Sequence, residues 1–229
     1  MLRSVVLVVR AACLPRVIAR ARTLPLAPDA TVTIVELFDR AGWNRSPLEL
    51  YALALLEPNR TLQCGSIAAL DREALVEIIR TCRADLVVVG DAYEDLRGIL
   101  GTTPVLVVKR WRSRYERPVV AIDSHDAEPV LQATQKLLVT RRPVMTAIHF
   151  SANVLQHAHA FLARTFASLG AFGVGWTRYL GTGDPKAAIV RVAQQSGADL
   201  VVIRSAFAKR GLIRELTCDV LTVPVGVTT

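Results

Sequence analysis

Aromatic residues make up only 6% of this 229-residue sequence, and it holds just four Cys, four His and two Met. Cys13, Cys64, Cys82 and Cys218 share no short spacing with one another or with a nearby His. Neither a zinc site nor a thioredoxin-type pair is therefore indicated, and buried thiols outside any disulfide framework are expected. A long apolar run is missing too, although the mean hydropathy is high at +0.34. The best candidate, Pro143 to Ala163, has no Asp, Glu, Lys or Arg but contains Thr146, His149, Ser151, Asn153, Gln156, His157 and His159, too many polar groups for a hydrocarbon core. At the N-terminus the apolar run Val5 to Val9 is closed by Arg10, too short for a secretory signal, so a cytoplasmic protein without membrane contact is expected.

What the sequence does have is apolar content, 52% of residues, enough for a chain of this length to bury a substantial core. It also carries an excess of positive charge, 28 Lys and Arg against 20 Asp and Glu, but that excess is unevenly spread. Residues 1–108 hold 12 basic and 12 acidic groups, 109–117 hold five and one, and 118–229 hold 11 and seven. Half of the excess thus lies in Lys109-Arg110-Trp111-Arg112-Ser113-Arg114-Tyr115-Glu116-Arg117, which reads as a basic linker over 111–117. Trp111 and Tyr115 between arginines have the composition of a single-strand stacking surface. Nine residues are a small footprint, no nucleic-acid-binding motif accompanies them, and a packed connector between domains is the favoured account.

The chain repeats itself at about half its length. Ala84-Asp85-Leu86-Val87-Val88-Val89 recurs as Ala198-Asp199-Leu200-Val201-Val202-Ile203, and Val5-Val6 as Val119-Val120, both offset by 114. Val105-Leu106-Val107-Val108 recurs as Val220-Leu221-Thr222-Val223, offset by 115. Two domains of one fold, 1–110 and 118–229, are expected on either side of the linker. Continuous β-branched runs alternate with helix-periodic stretches, the pattern of a parallel sheet buried on both faces. In the second copy strands are predicted at Pro118–Asp123, Pro143–Phe150, Val174–Leu180, Leu200–Ile203 and Val220–Val223. One helix buries Val130, Thr134, Leu137 and Leu138; another Leu155, Leu162, Phe166 and Leu169; a third, capped by Asp184 and opened by Pro185, buries Ile189, Val192 and Ala193 and ends at Gly197. In the first copy strands are predicted at Ser4–Val9, Thr31–Leu37, Thr61–Cys64, Leu86–Val89 and Val105–Val108, with helices at Pro47–Glu57 and Arg72–Cys82.

This order of elements, with the Gly183-Asp184-Pro185 turn, Gly197-Ala198-Asp199-Leu200-Val201-Val202-Ile203, Val119-Val120-Ala121-Ile122-Asp123-Ser124 and the closing run Cys218 to Pro224, resembles the universal stress protein family. Both halves carry it, so the chain resembles a tandem universal stress protein. The resemblance implies two doubly wound five-stranded parallel sheets of the Rossmann type, paired as an intramolecular pseudo-dimer, with homodimers and a further protein partner open. In some members ATP lies at the carboxyl ends of the first and fourth strands, where such a sheet leaves a crevice. That places Asp123, Ile148, Ile203, Arg204 and Ser205 as candidate ligand-binding residues.

The family's phosphate loop, G-x2-G-x9-G-[ST], is altered in both halves. Tyr93 stands at the second glycine after Gly90, Gly101-Thr102 comes two residues early, and Asp91, Glu94 and Asp95 would repel phosphate. In the second half Arg204 and Phe207 replace the first two glycines, and the first copy has Arg10 where the second has Asp123. The connections from fourth to fifth strand, 15 and 16 residues, leave little length beyond a crossover helix. The implied function is a non-enzymatic stress-response protein with no required cofactor and weak or no ATP binding. Two alternatives remain: an adenine-nucleotide switch around Asp123, Ile148 and Ile203, and an enzyme using Arg204, Ser205, Lys209, Arg210 and Arg214 on a phosphorylated small molecule. His157 and His159, two apart on a predicted helix, point to different sides and do not suggest a metal. No catalytic motif is recognised.

Overall fold

The computed structural model describes residues 1–38, 61–68, 71–90, 103–110, 114–123, 127–138, 144–150, 176–181, 183–208 and 211–224. The predicted helices at 47–57 and 155–169 lie outside them. The chain divides into two units, Met1–Ser113 and Arg114–Thr229, and the division falls inside the basic segment.

In the first unit the strands are β1 (Leu2–Val9), β2 (Leu26–Phe38), β3 (Thr61–Ala68), β4 (Leu86–Val89) and β5 (Val105–Val107). They form a parallel sheet in the order β3-β2-β1-β4-β5. Val5 to Val9, Val87 to Val89 and Leu106 are buried, as the continuous apolar runs require. Helix α1 (Leu14–Ala21) buries Leu14, Val17, Ile18 and Ala21, one face at helical spacing, and follows a single 3-10 turn at Ala11–Cys13. Helix α2 (Arg72–Thr81) is capped by the Asp71 carboxylate, which accepts the Ala74 N–H at 3.0 Å, and buries Leu75 and Ile79. β2 starts five residues before its predicted position. The β1–β2 register slips between Leu2↔Leu26 and Ser4↔Thr31, and this irregularity accommodates Pro28 and Asp29, whose residue types read as a turn.

In the second unit β6 (Pro118–Asp123), β7 (Met145–Phe150), β8 (Trp176–Gly181), β9 (Leu200–Arg204) and β10 (Asp219–Val223) form a parallel sheet in the corresponding order β8-β7-β6-β9-β10. Helix α3 (Ala127–Leu138) buries Val130, Leu131, Thr134, Leu137 and Leu138, the predicted face with one addition. Helix α4 (Pro185–Gln195) starts as expected: Asp184 accepts the N–H groups of Lys186 and Ala187, and Pro185 takes the first helical position. A short helix α5 (Leu212–Glu215) precedes β10, and its Glu215 pairs with Lys186.

The strongest sequence repeat has a structural explanation. Helices α2 and α4 both end in a Schellman cap. Arg83 N–H bonds to Arg80 O and Ala84 N–H to Ile79 O; Gly197 N–H bonds to Gln194 O and Ala198 N–H to Ala193 O. The left-handed position is Arg83 (φ 45°) in one unit and Gly197 (φ 61°) in the other. The Asp that follows then fastens the start of the first strand. The Asp85 carboxylate accepts the Arg3 and Ser4 N–H groups at 2.8 and 3.2 Å. Pro118, the counterpart of Ser4, has no N–H, so the grip moves back one residue and Asp199 accepts from Glu116 (2.6 Å) and Arg117 (3.0 Å).

One expectation changes. Cys13 and Cys218 are buried, but Cys64 is exposed and Cys82 half-buried, because Cys64 lies on the edge strand β3. Tyr115 is not a ring presented to solvent: it is buried, and its hydroxyl donates to the fully buried Asp219 carboxylate at 2.8 Å. Among the described residues no helix is long and apolar enough to cross a membrane.

Candidate functional site at the strand ends

A doubly wound sheet opens where the chain reverses its direction of winding, between β1 and β4 in the first unit and β6 and β9 in the second. The two openings differ. In the first unit the β1–β4 ladder runs to Val8↔Val89, the last residue of β4, and Gly90 follows. A Cβ at Gly90 would lie 2.5 Å from Cys13 Sγ and 2.6 Å from Cys13 Cβ, so the chain leaving β4 passes directly against the start of α1. The Cys13 thiol meanwhile closes the turn after β1, accepting the Arg10 N–H and lying 3.3 Å from Arg10 O. Gly90 therefore answers a packing demand rather than leaving space for a phosphate. Tyr93, Asp91, Glu94, Asp95 and Gly101 lie outside the described residues.

In the second unit β6 stays with β7 as far as Asp123↔Phe150, and β9 stays with β10 as far as Arg204↔Val223. The ladder between β6 and β9 stops earlier, at Val120↔Val202. The carboxyl ends of β6 and β9 thus run on without pairing to each other. Asp123 ends β6, and Arg204 ends β9 at 8% exposure. Ile148 and Ile203 are fully buried within their strands, so they belong to the sheet core. Ser205 is exposed, and its N–H bonds to Val223 O at 2.7 Å.

The turn after β9 uses its own donors. Phe207 N–H bonds to Arg204 O and Ala208 N–H to Ser205 O, and Phe207 is half-buried where the glycine-loop pattern has its second glycine. Three of the backbone donors that a phosphate cradle would need, at Ser205, Phe207 and Ala208, are thereby engaged within the fold. The described residues do not form the glycine-lined cradle of an ATP triphosphate. Of the basic candidates, Arg204 is buried at the strand end and Arg214 exposed on α5, while Lys209 and Arg210 lie outside the described residues, as do His157 and His159. Among the described residues the clear carboxyl pKa displacement is elsewhere, at Glu77 on the exposed face of α2, held below its ordinary value by hydrogen bonds from Arg80 and then Thr81.

Sequence reasoning did not single out Cys13, Asp85, Asp199 or Asp219. The offset of 114 that joins Asp85 to Asp199 was the signal for two of them; nothing local marks Cys13 as the residue that faces Gly90.

No protein-family model matches the sequence, and no curated protein is significantly similar to it. Solved structures are similar. A universal stress protein from Archaeoglobus fulgidus DSM 4304 superposes with a TM-score of 0.70 at 12% identity, covering 98% of this chain and 97% of that one. The fold is that of the universal stress proteins. A functionally unknown protein from Pseudomonas aeruginosa PAO1 gives a TM-score of 0.61 at 16% identity over 97% of this chain and 92% of its own. The cytoplasmic domain of a prokaryotic cation chloride cotransporter gives 0.64 at 14% identity over 96% and 94%.

Proposed function

We propose that the chain is a tandem universal stress protein, with domains at 1–110 and 118–229 joined by the basic stretch 111–117, and that it acts as a non-enzymatic regulatory protein without a required nucleotide. The observation that carries this reading is that each crevice is modified by a different device. Cys13 packs against Gly90 in the first unit, and in the second the turn after β9 consumes the donors of Ser205, Phe207 and Ala208. Denaturing the gently purified protein and analysing the released small molecules tests it, followed by calorimetric titration with ATP. No released nucleotide and no heat is the expected result. A stoichiometric adenine nucleotide overturns the reading.

The early end of the β6–β9 ladder favours one alternative, a nucleotide-dependent switch confined to the second unit. On that reading ATP binds once per chain and Asp123→Ala abolishes the heat, whereas changes at Arg10 or Cys13 leave it intact.

A further inference from the structure

The basic segment ends in residues that belong to the fold of the second unit. Glu116 reaches both neighbours of β6. Its N–H donates to the Asp199 carboxylate at 2.6 Å, one residue before β9, and its carbonyl accepts the Val144 N–H at 3.1 Å, one residue before β7. Arg117 donates its N–H to the same carboxylate and accepts the Asp199 N–H at 3.3 Å. Tyr115 carries the contact one strand further, to the Asp219 carboxylate at the start of β10, and the Asp219 N–H closes the circuit on Asp199 O at 3.2 Å. The first unit cannot form the same side-chain pair, since Met1 stands 114 residues before Tyr115 and Pro104 stands 115 before Asp219.

We infer that Tyr115–Arg117 is a strap that couples the basic segment to the starts of β9 and β10, so that releasing the strap opens both strand starts as one unit. Burial supplies the coupling. Asp199 is 4% exposed and Asp219 fully buried, and both carboxylates accept hydrogen bonds from the strap. A buried carboxylate that loses a donor is costly unless water can replace it. The strap therefore cannot lift away while the strand starts stay packed. Glu116 and Arg117 are exposed, so the grip comes through their backbone N–H groups and the buried Tyr115 ring. The arginine-rich residues before Tyr115 lead directly into the strap, and whatever draws on them acts on β9 and β10, strands distant in sequence. The coupling lies within the second unit and does not depend on whether its crevice takes a nucleotide.

The test is amide hydrogen exchange on the intact chain at urea concentrations below the unfolding transition. The Glu116, Arg117, Val144, Asp199 and Asp219 amides are expected to exchange through one shared opening, at a lower free energy than the amides in the middle of β9, which is paired on both sides. Tyr115→Phe removes one hydrogen bond to a carboxylate and should speed all five by a common factor of at least about tenfold. Val144 is the telling position, because its amide bonds to Glu116 on the far side of β6 from Asp219. No acceleration, or acceleration confined to Asp219, overturns the inference, since Tyr115 then serves β10 alone. Exchange of all five only through global unfolding overturns it as well. Should Tyr115→Phe fail to fold, the unaltered chain decides: separate opening free energies for Glu116 and Asp219 refute the strap, and a common one below the global value supports it.

Discussion

The two units differ at single residues in ways that fix local energies. Arg83 occupies the left-handed position of a Schellman cap with φ 45°, where its counterpart is Gly197 at φ 61°. A side chain in that region presses its Cβ against the following carbonyl, at a cost of about 1 kcal/mol. Arg83→Gly is therefore expected to stabilise the chain by about that amount, and Gly197→Ala to destabilise it similarly, both read from urea midpoints. Gly90 poses the opposite problem. A methyl there meets Cys13 Sγ at 2.5 Å and Cys13 Cβ at 2.6 Å, so Gly90→Ala must displace α1 or β4 at a cost of about 1 to 3 kcal/mol. Because the clash involves Cβ as well as sulfur, Cys13→Gly and not Cys13→Ala should relieve it. The double variant Cys13→Gly, Gly90→Ala is then expected to lose less than the sum of its two single changes. Simple additivity would show that the strand end and the helix start do not press on each other.

Elements were legible where one physical signal dominated. Buried parallel strands show as β-branched runs, so β4, β6 and β9 sit within one residue of their predicted bounds. The cap of α4 was readable because Asp-Pro satisfies two helix-start requirements at once. Helix α1 was missed: Pro15 within Leu-Pro-Arg-Val resembles a break, and its tolerance in the first turn becomes plain only once the helix start at Leu14 is known. The first half of β2 was missed for a related reason, since Pro28 and Asp29 read as a turn but lie in a strand that slips register to hold them. For the candidate residues the sequence reads their place along the strands and not their contacts. Asp123, Arg204 and Ser205 do lie at the strand ends, but the burial of Ile148 and Ile203 and the engagement of the Ser205 N–H depend on contacts between strands distant in sequence. Periodicity names which face a residue occupies, never which donor its backbone has already met.

For the whole molecule the question is what its positive charge is for. Five basic residues lie in 109–117, and a ring among them invites a reading as a nucleic-acid contact. Tyr115 answers differently, because its ring is buried and its hydroxyl donates to Asp219, itself fully buried at the start of β10. With Asp199 holding the N–H groups of Glu116 and Arg117, the last residues of the basic segment are fastened into the second unit by two carboxylates. Tyr115→Phe separates the two roles, since it keeps the ring and removes the hydroxyl. A stacking residue would be untouched by that change, whereas loss of a buried hydrogen bond to a carboxylate costs about 1.5 to 3 kcal/mol. The expected result is a lower urea midpoint for Tyr115→Phe, with retention on single-stranded DNA at physiological salt equally low in variant and parent. Unchanged stability together with salt-sensitive retention would instead return the ring to solvent and give the charge a nucleic-acid partner.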